Sequence, residues 1–109
     1  MAVYTAGCDS IRSHHPMAEL DRFMRERIAE IGYPRQPSHP LCHGIGARAH
    51  EPPYPHQAAG GSFEDGMVLA VEPGAYWDGG GGLRVEDNFL VTKDGLEKLS
   101  AFPDGVVRC

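Results

Sequence analysis

Between Met67 and Val91 the chain reads as two alternating runs joined by a glycine-rich connection, and no other feature constrains the fold as strongly. Met67, Leu69 and Val71 alternate with Val68, Ala70 and Glu72, and Leu83 and Val85 alternate with Arg84, Glu86 and Asn88. A period of two sends successive side chains to opposite faces, so each run is a strand with one apolar face and one face that carries a carboxylate. The connection Pro73–Gly82 contains five glycines and a proline, which suits a loop folding the second run back antiparallel to the first. Glu72 and Glu86 then become near neighbours. Two anions on a partly buried sheet face repel, and they persist there only if one takes up a proton or a cation sits between them.

Upstream, Met17, Leu20, Met24, Ile28 and Ile31 recur at helical spacing and predict one amphipathic helix over Pro16–Ile31. Pro16 suits its first turn, Glu19 and Asp21 favour the positive end of its dipole, and Gly32 with Pro34 is a stop signal. Residues 1–15 show no clear period and are expected to be irregular. Residues 33–41 carry three prolines and predict an extended linker. Strands are expected near residues 40–50, 66–72, 83–92 and 96–99, with a turn at Thr92–Gly95 and a loose tail after Ala101. The pattern is α+β: one main helix on a curved antiparallel sheet.

The 109 residues suffice for one small soluble domain with a modest core. A net charge of -5, with no run of Lys or Arg, argues against nucleic acid or an anionic membrane as the partner. No apolar stretch is long enough to span a bilayer, and the first ten residues lack the pattern of a signal peptide, so a cytoplasmic location is expected. Three cysteines, Cys8, Cys42 and Cys109, read as reduced thiols rather than a disulfide framework.

Half of the six histidines, His39, His43 and His50, fall within one short window ahead of the two carboxylates. Gly44 and Gly46 allow the backbone to bend there, so imidazoles that strict alternation would separate can converge. Imidazole and carboxylate together suit Mn²⁺, Co²⁺, Fe²⁺ or Zn²⁺. The plainer alternative for Glu86 is an ion pair with Arg84 on the same strand face. The run Gly79–Gly82 precedes no helix and is not a phosphate cradle. Cys42 has no base at a diagnostic spacing and is not read as a nucleophile, and His14, His15 and His56 read as exposed polar residues.

The run His39-Pro-Leu-Cys-His43-Gly-Ile-Gly-Ala-Arg-Ala-His50-Glu51-Pro-Pro, then Val-Glu72-Pro-Gly-Ala-Tyr, then Leu-Arg-Val-Glu86-Asp, resembles the pita-bread metallopeptidases. That family includes Xaa-Pro aminopeptidase, prolidase, methionine aminopeptidase and creatinase. The resemblance covers roughly Ala18 to Pro103 and implies the C-terminal half of the catalytic fold. It implies that His43, Glu72 and Glu86 are metal ligands, that His39 and His50 meet the scissile carbonyl, and that Arg84 orients the carboxylates. It further implies two divalent ions per complete site (Mn, Co or Zn), which lower the pKa of a shared water and clamp the developing oxyanion. The family's two upstream aspartate ligands have no counterpart: Asp9 and Asp21 lack the flanking motif. Cys42 also departs from the small residue that usually precedes the ligand histidine.

Two readings follow. One is an Xaa-Pro aminopeptidase or prolidase-like metallopeptidase acting on short peptides, truncated and weakly active alone. The other is a non-catalytic remnant or peptide-binding module of the same fold. A metal-free creatinase-like hydrolase ranks below both, because all three ligand residues are present. Either reading expects self-association, or docking with a missing N-terminal half, through surface that the full fold would bury.

Overall fold

The computed structural model describes residues 1–33 and 37–102. Two helices, α1 (Ala2–Ser10) and α2 (Met17–Glu30), precede six strands: β1 (Cys42–Gly44), β2 (Val68–Val71), β3 (Gly74–Trp77), β4 (Gly81–Arg84), β5 (Asp87–Thr92) and β6 (Gly95–Lys98). Four strands form an antiparallel sheet in the order β1-β2-β5-β6, and β3 and β4 form a separate two-stranded sheet. The α+β expectation holds, with two helices in place of one.

Helix α2 follows its periodicity. Leu20, Met24 and Ile28 are buried, Glu19 lies in the first turn and Arg27 in the last, each complementing the dipole. Gly32, at φ 88, ends the helix; its N–H returns to the carbonyl of Ala29 and that of Tyr33 to Ile28. Ile31 falls past the last helical residue and is exposed rather than core. Pro34 and most of the expected tail beyond Ala101 lie outside the described residues.

The N-terminal segment differs from expectation, because Ala2–Ser10 is helical and not irregular. Its buried positions Val3, Tyr4 and Gly7 form a short stripe, too brief to register as a period, that gains its stability from packing on α2. Gly7 permits that approach: a Cβ there would crowd the Met24 side chain at 3.1 Å. Tyr4 also donates a hydrogen bond to the buried Asp87 carboxylate at 2.7 Å, and the Lys98 ammonium lies 3.1 Å from the same oxygen.

The core lies between the helices and the larger sheet. Val3, Ile11, Leu20, Met24 and Ile28 from the helical layer cluster with Leu41, Cys42, Leu69, Val71, Phe89 and Val91. Phe63, which is 0% exposed, enters the core from a loop. Its segment is pinned to the start of α2 by Phe63 N–H to the His15 carbonyl (3.0 Å) and by His14 N–H to the Phe63 carbonyl (2.7 Å). Fully burying each large apolar side chain contributes about 1.5–3 kcal/mol.

The hairpin is longer than the alternation indicated. Val71 pairs with Asp87 in the larger sheet and Gly74 with Arg84 in the smaller one, so both ladders share one register, interrupted where Pro73 has no N–H to offer. The Val85 N–H to Pro73 carbonyl bond, 3.2 Å, bridges the break. Pairing therefore runs deep into the glycine-rich stretch and leaves only residues 78–80 as the connection. The expected strand at 83–92 is divided between β4 and β5. The expected strand at 40–50 shortens to Cys42–Gly44, because residues 45–50 loop out. Among the described residues, no helix is long and apolar enough to cross a membrane.

Candidate metal centre

Alternation along the strands decides what faces the cleft. Cys42 is paired with Val71 and His43 with Ala70, which is paired in turn with Asn88. Cys42 and Val71 belong to the core, so His43, Ala70 and Asn88 lie on the opposite face. Ala70 leaves room above the sheet for the imidazole. Glu72 follows β2 directly, and its N–H continues the ladder to the Leu41 carbonyl at 2.8 Å.

The loop after β1 returns alongside it. Gly44 donates its N–H to the Pro53 carbonyl at 2.7 Å and accepts from the Glu51 N–H at 3.0 Å. A Cβ at position 44 would strike the carbonyl oxygens of Pro52 and Glu51, so this approach requires glycine. The returning strand carries His50 over His43, with ring centroids 4.2 Å apart and planes inclined by 31°.

A cleft of about 470 Å³ is thereby lined by His43, His50, Glu72, Arg84, Glu86 and Asn88, among others. His43 and Glu72 are buried, at 3% and 4% exposure. The Nδ1 of His43 lies 2.9 Å from the Gly44 carbonyl oxygen, which can only accept, so Nδ1 carries the proton. That leaves Nε2 facing Glu72 Oε1 at 3.2 Å. The other carboxylate oxygen, Oε2, accepts from Arg84 Nη1 at 2.9 Å. His43, His50 and Glu72 each offer a donor atom within 4.8 Å of the others. Two imidazoles and a carboxylate fit the donor chemistry of a divalent first-row transition ion.

Of the residues singled out in the sequence, His43, His50, Glu72, Arg84 and Glu86 meet at this cleft. Glu86 stands on its exposed wall, outside the close cluster. The alternative weighed for Glu86, an ion pair with Arg84, is not what forms: Arg84 pairs with Glu72. His39 does not share the cleft lining, although its Nδ1 lies 4.0 Å from Glu72 Oε2 on the side that Arg84 occupies. Its Nδ1 donates to the Pro40 carbonyl at 2.6 Å, and its Nε2 lies 3.0 Å from the Tyr76 hydroxyl. Because Arg84 Nε donates to Tyr76 Oη at 3.0 Å, the Tyr76 proton is directed to His39. The Tyr76 hydrogen bond raises Arg84 above its ordinary pKa; desolvation opposes the shift, and the charges of Tyr76, Glu72 and Glu86 add to it.

Tyr76 is the site residue that sequence reasoning passed over. Its signal lay in the glycines: Tyr76 is paired with Gly82, and side chains at Gly74 or Gly82 would collide with its ring. Asp21 is also accounted for. It is buried on α2 and accepts from Arg25 Nε at 2.9 and 3.1 Å, while Arg25 Nη1 holds the Pro37 carbonyl at 2.8 Å, anchoring the approach to His39. Burial pushes the Cys42 thiol well above its ordinary range, with Cys8, Glu72 and Asp21 adding to the shift. A buried, protonated thiol is no nucleophile.

Residues 2–93 match the model of metallopeptidase family M24. The chain is 43% identical over 82 residues to an Xaa-Pro dipeptidase of Pyrococcus horikoshii, a stretch covering 75% of this chain and 23% of that one. It superposes on an Xaa-Pro dipeptidase from Bacillus anthracis with a TM-score of 0.90 at 34% identity, covering 96% of this chain and 30% of that one. An X-Pro aminopeptidase from Thermotoga maritima gives a TM-score of 0.89 at 30% identity, covering 95% and 30%. The chain thus has the pita-bread architecture of these peptidases over its own length, and spans less than a third of theirs.

Proposed function

The chain belongs to metallopeptidase family M24, and from that premise we propose that it is the C-terminal half of a catalytic domain that hydrolyses short Xaa-Pro peptides. The observation that carries this reading is the division of Glu72: Oε2 is clasped by Arg84 while Oε1 faces Nε2 of His43 at 3.2 Å. A carboxylate held at one oxygen and open at the other is poised to hold a cation and to accept a proton.

In the complete site, His43, Glu72 and Glu86 would supply three ligands to two divalent ions (Mn, Co or Zn), and the upstream half the remaining two. Bound divalent ions supply Lewis acidity to the scissile carbonyl and bring the pKa of water near neutrality. Arg84 fixes the rotamer of Glu72, and Glu72 shuttles the proton toward the leaving amine. His50 stands exposed over the cleft, where it can meet the carbonyl of a bound peptide. His39, with Nδ1 committed to a backbone carbonyl and Nε2 to Tyr76, serves the site through the Tyr76–Arg84 chain. A reducing, cytoplasmic setting fits the thiol reading of the cysteines.

The partner that completes the site is the upstream half of the fold. An apolar groove lined by Met1, Ile31, Tyr33, Trp77 and Leu83 supports this, since Ile31, Trp77 and Leu83 are 55%, 45% and 52% exposed. Self-association through the same groove is the other outcome. Asp21 is committed to Arg25, and Asp9 lines a different cavity beside α1. Those positions favour, as the second reading, a peptide-binding module that does not cleave.

The test is turnover of Xaa-Pro dipeptides and tripeptides, with metal added, by the chain alone and with an upstream half from a related peptidase supplied in trans. Background activity alone and recovery with the upstream half are expected. Full turnover by the isolated monomer would refute the half-site reading, and peptide binding with no recovery would favour the binding module.

A further inference from the structure

The geometry points to a one-ion site that this 109-residue chain builds by itself, in which His50, and not Glu86, is the third donor beside His43 and Glu72. It rests on the reading of the cleft as a metal centre and concerns which side chains hold the ion when only these residues are present.

Three observations lead there. With Nδ1 of His43 held at the Gly44 carbonyl, Nε2 and Glu72 Oε1 are turned toward each other 3.2 Å apart. With metal–nitrogen and metal–oxygen distances near 2.0–2.2 Å, cis ligands on one ion sit about 2.9–3.5 Å apart, so the observed pair already has the spacing of two ligands. Secondly, Arg84 occupies Oε2 and leaves Oε1 as the open donor. Thirdly, His50 brings an exposed imidazole to within 4.8 Å of both donors, whereas Glu86 stands outside this cluster on the solvent side of the cleft.

The small closing movement falls to His50, whose side chain is exposed beside the His43 ring, while His43 and Glu72 are buried and held in place. Two imidazoles and one carboxylate leave coordination positions open for water and favour zinc or cobalt over manganese, which prefers oxygen donors. The same His50 would meet substrate in a completed enzyme, where additional carboxylates take over the ion.

The experiment is equilibrium dialysis of tag-free chain against zinc, with metal analysis, on the parent chain and on His50→Ala, His50→Gln, Glu86→Gln, His43→Ala and Glu72→Gln. Circular dichroism checks that each variant is folded. Nitrogen-15 shifts of the histidine rings provide the second readout. The parent chain is expected to take up one zinc, and one equivalent should move the ring signals of His43 and His50 further than that of His39, which borders Glu72 without donating to the ion. Both His50 variants should weaken binding by about tenfold or more, since even the loss of a ligand's supporting partner costs that much, while Glu86→Gln should leave it within roughly threefold. If Glu86→Gln abolishes binding and the His50 variants retain it, the assignment of the third donor falls and the metal centre stands. If the parent chain takes up no zinc at millimolar concentration, or His43→Ala and Glu72→Gln bind as it does, the metal-centre reading falls as well.

Discussion

Replacing Gly44 by alanine should damage stability and metal binding through one displacement. Gly44 is not among the residues with positive φ, so alanine meets no dihedral penalty there. The obstacle is space, because its Cβ would fall against the Pro52 and Glu51 carbonyl oxygens. If the backbone stays in place, overpacking costs about 1–3 kcal/mol. If the returning segment retreats, the Gly44–Pro53 and Glu51–Gly44 backbone bonds are lost, at about 1 kcal/mol each. The chain will take the cheaper mixture, so the expected loss is about 2 kcal/mol. For a domain of this size that lowers Tm by roughly 8–16 °C. The same retreat carries His50 away from His43, and zinc affinity should fall at least as far as in His50→Ala. Urea unfolding and zinc dialysis on one preparation measure both effects. A variant within about 0.5 kcal/mol of the parent, with undiminished zinc affinity, would show that the close return of residues 50–53 does not position the imidazole.

Phe63→Ala empties a fully buried position in the core and should cost about 3–5 kcal/mol by urea denaturation; a loss under 1 kcal/mol would mean that the loop collapses into the space. Arg25→Ala strands the buried Asp21 carboxylate and releases the Pro37 carbonyl, for an expected loss of about 3–5 kcal/mol that Asp21→Asn in the same background should partly restore. Cys42 makes stability depend on alkaline pH. Because its folded pKa lies above the ordinary 9.0, its contribution is complete below pH 9 and declines above it, where only the unfolded chain sheds the proton. The slope attributable to this thiol is at most about 1.4 kcal/mol per pH unit. It should vanish in Cys42→Ala, and an unchanged slope in that variant would assign the effect elsewhere.

Helix α2 and the hairpin were legible because each carries many residues in one period, so several positions agree on which face is buried. The helix at Ala2–Ser10 was not, since its order comes from α2 and from the Tyr4–Asp87 contact, a partner eighty-three residues away that no local pattern can announce. The division of the hairpin into two sheets turns on Pro73, one missing donor amid otherwise continuous alternation. At the site, residue type and order singled out His43, Glu72 and Arg84, which the fold brings to one cleft. What they could not convey was partnership: that Arg84 would choose Glu72 over Glu86, and that His50 would cover His43 while His39 faced Tyr76. Those choices follow from the bend at Gly44 and from the space left around the Tyr76 ring, both set by tertiary contacts.

The shared register of the two ladders limits how this chain can tolerate insertions and deletions. Val71 with Asp87 and Gly74 with Arg84 obey the same pairing rule, so the outer arm prolongs the inner ladder. Adding or removing one residue on a single strand at the base, between the Pro73–Val85 bond and the Gly74–Arg84 pair, would turn every side chain beyond it to the other face, and Arg84 would leave Glu72. A matched change of two residues on both strands preserves the facing pattern and alters only how far the tip reaches. The tip can therefore be lengthened or trimmed in paired steps, reshaping the rim around Trp77, without moving the Glu72–Arg84 contact at its base.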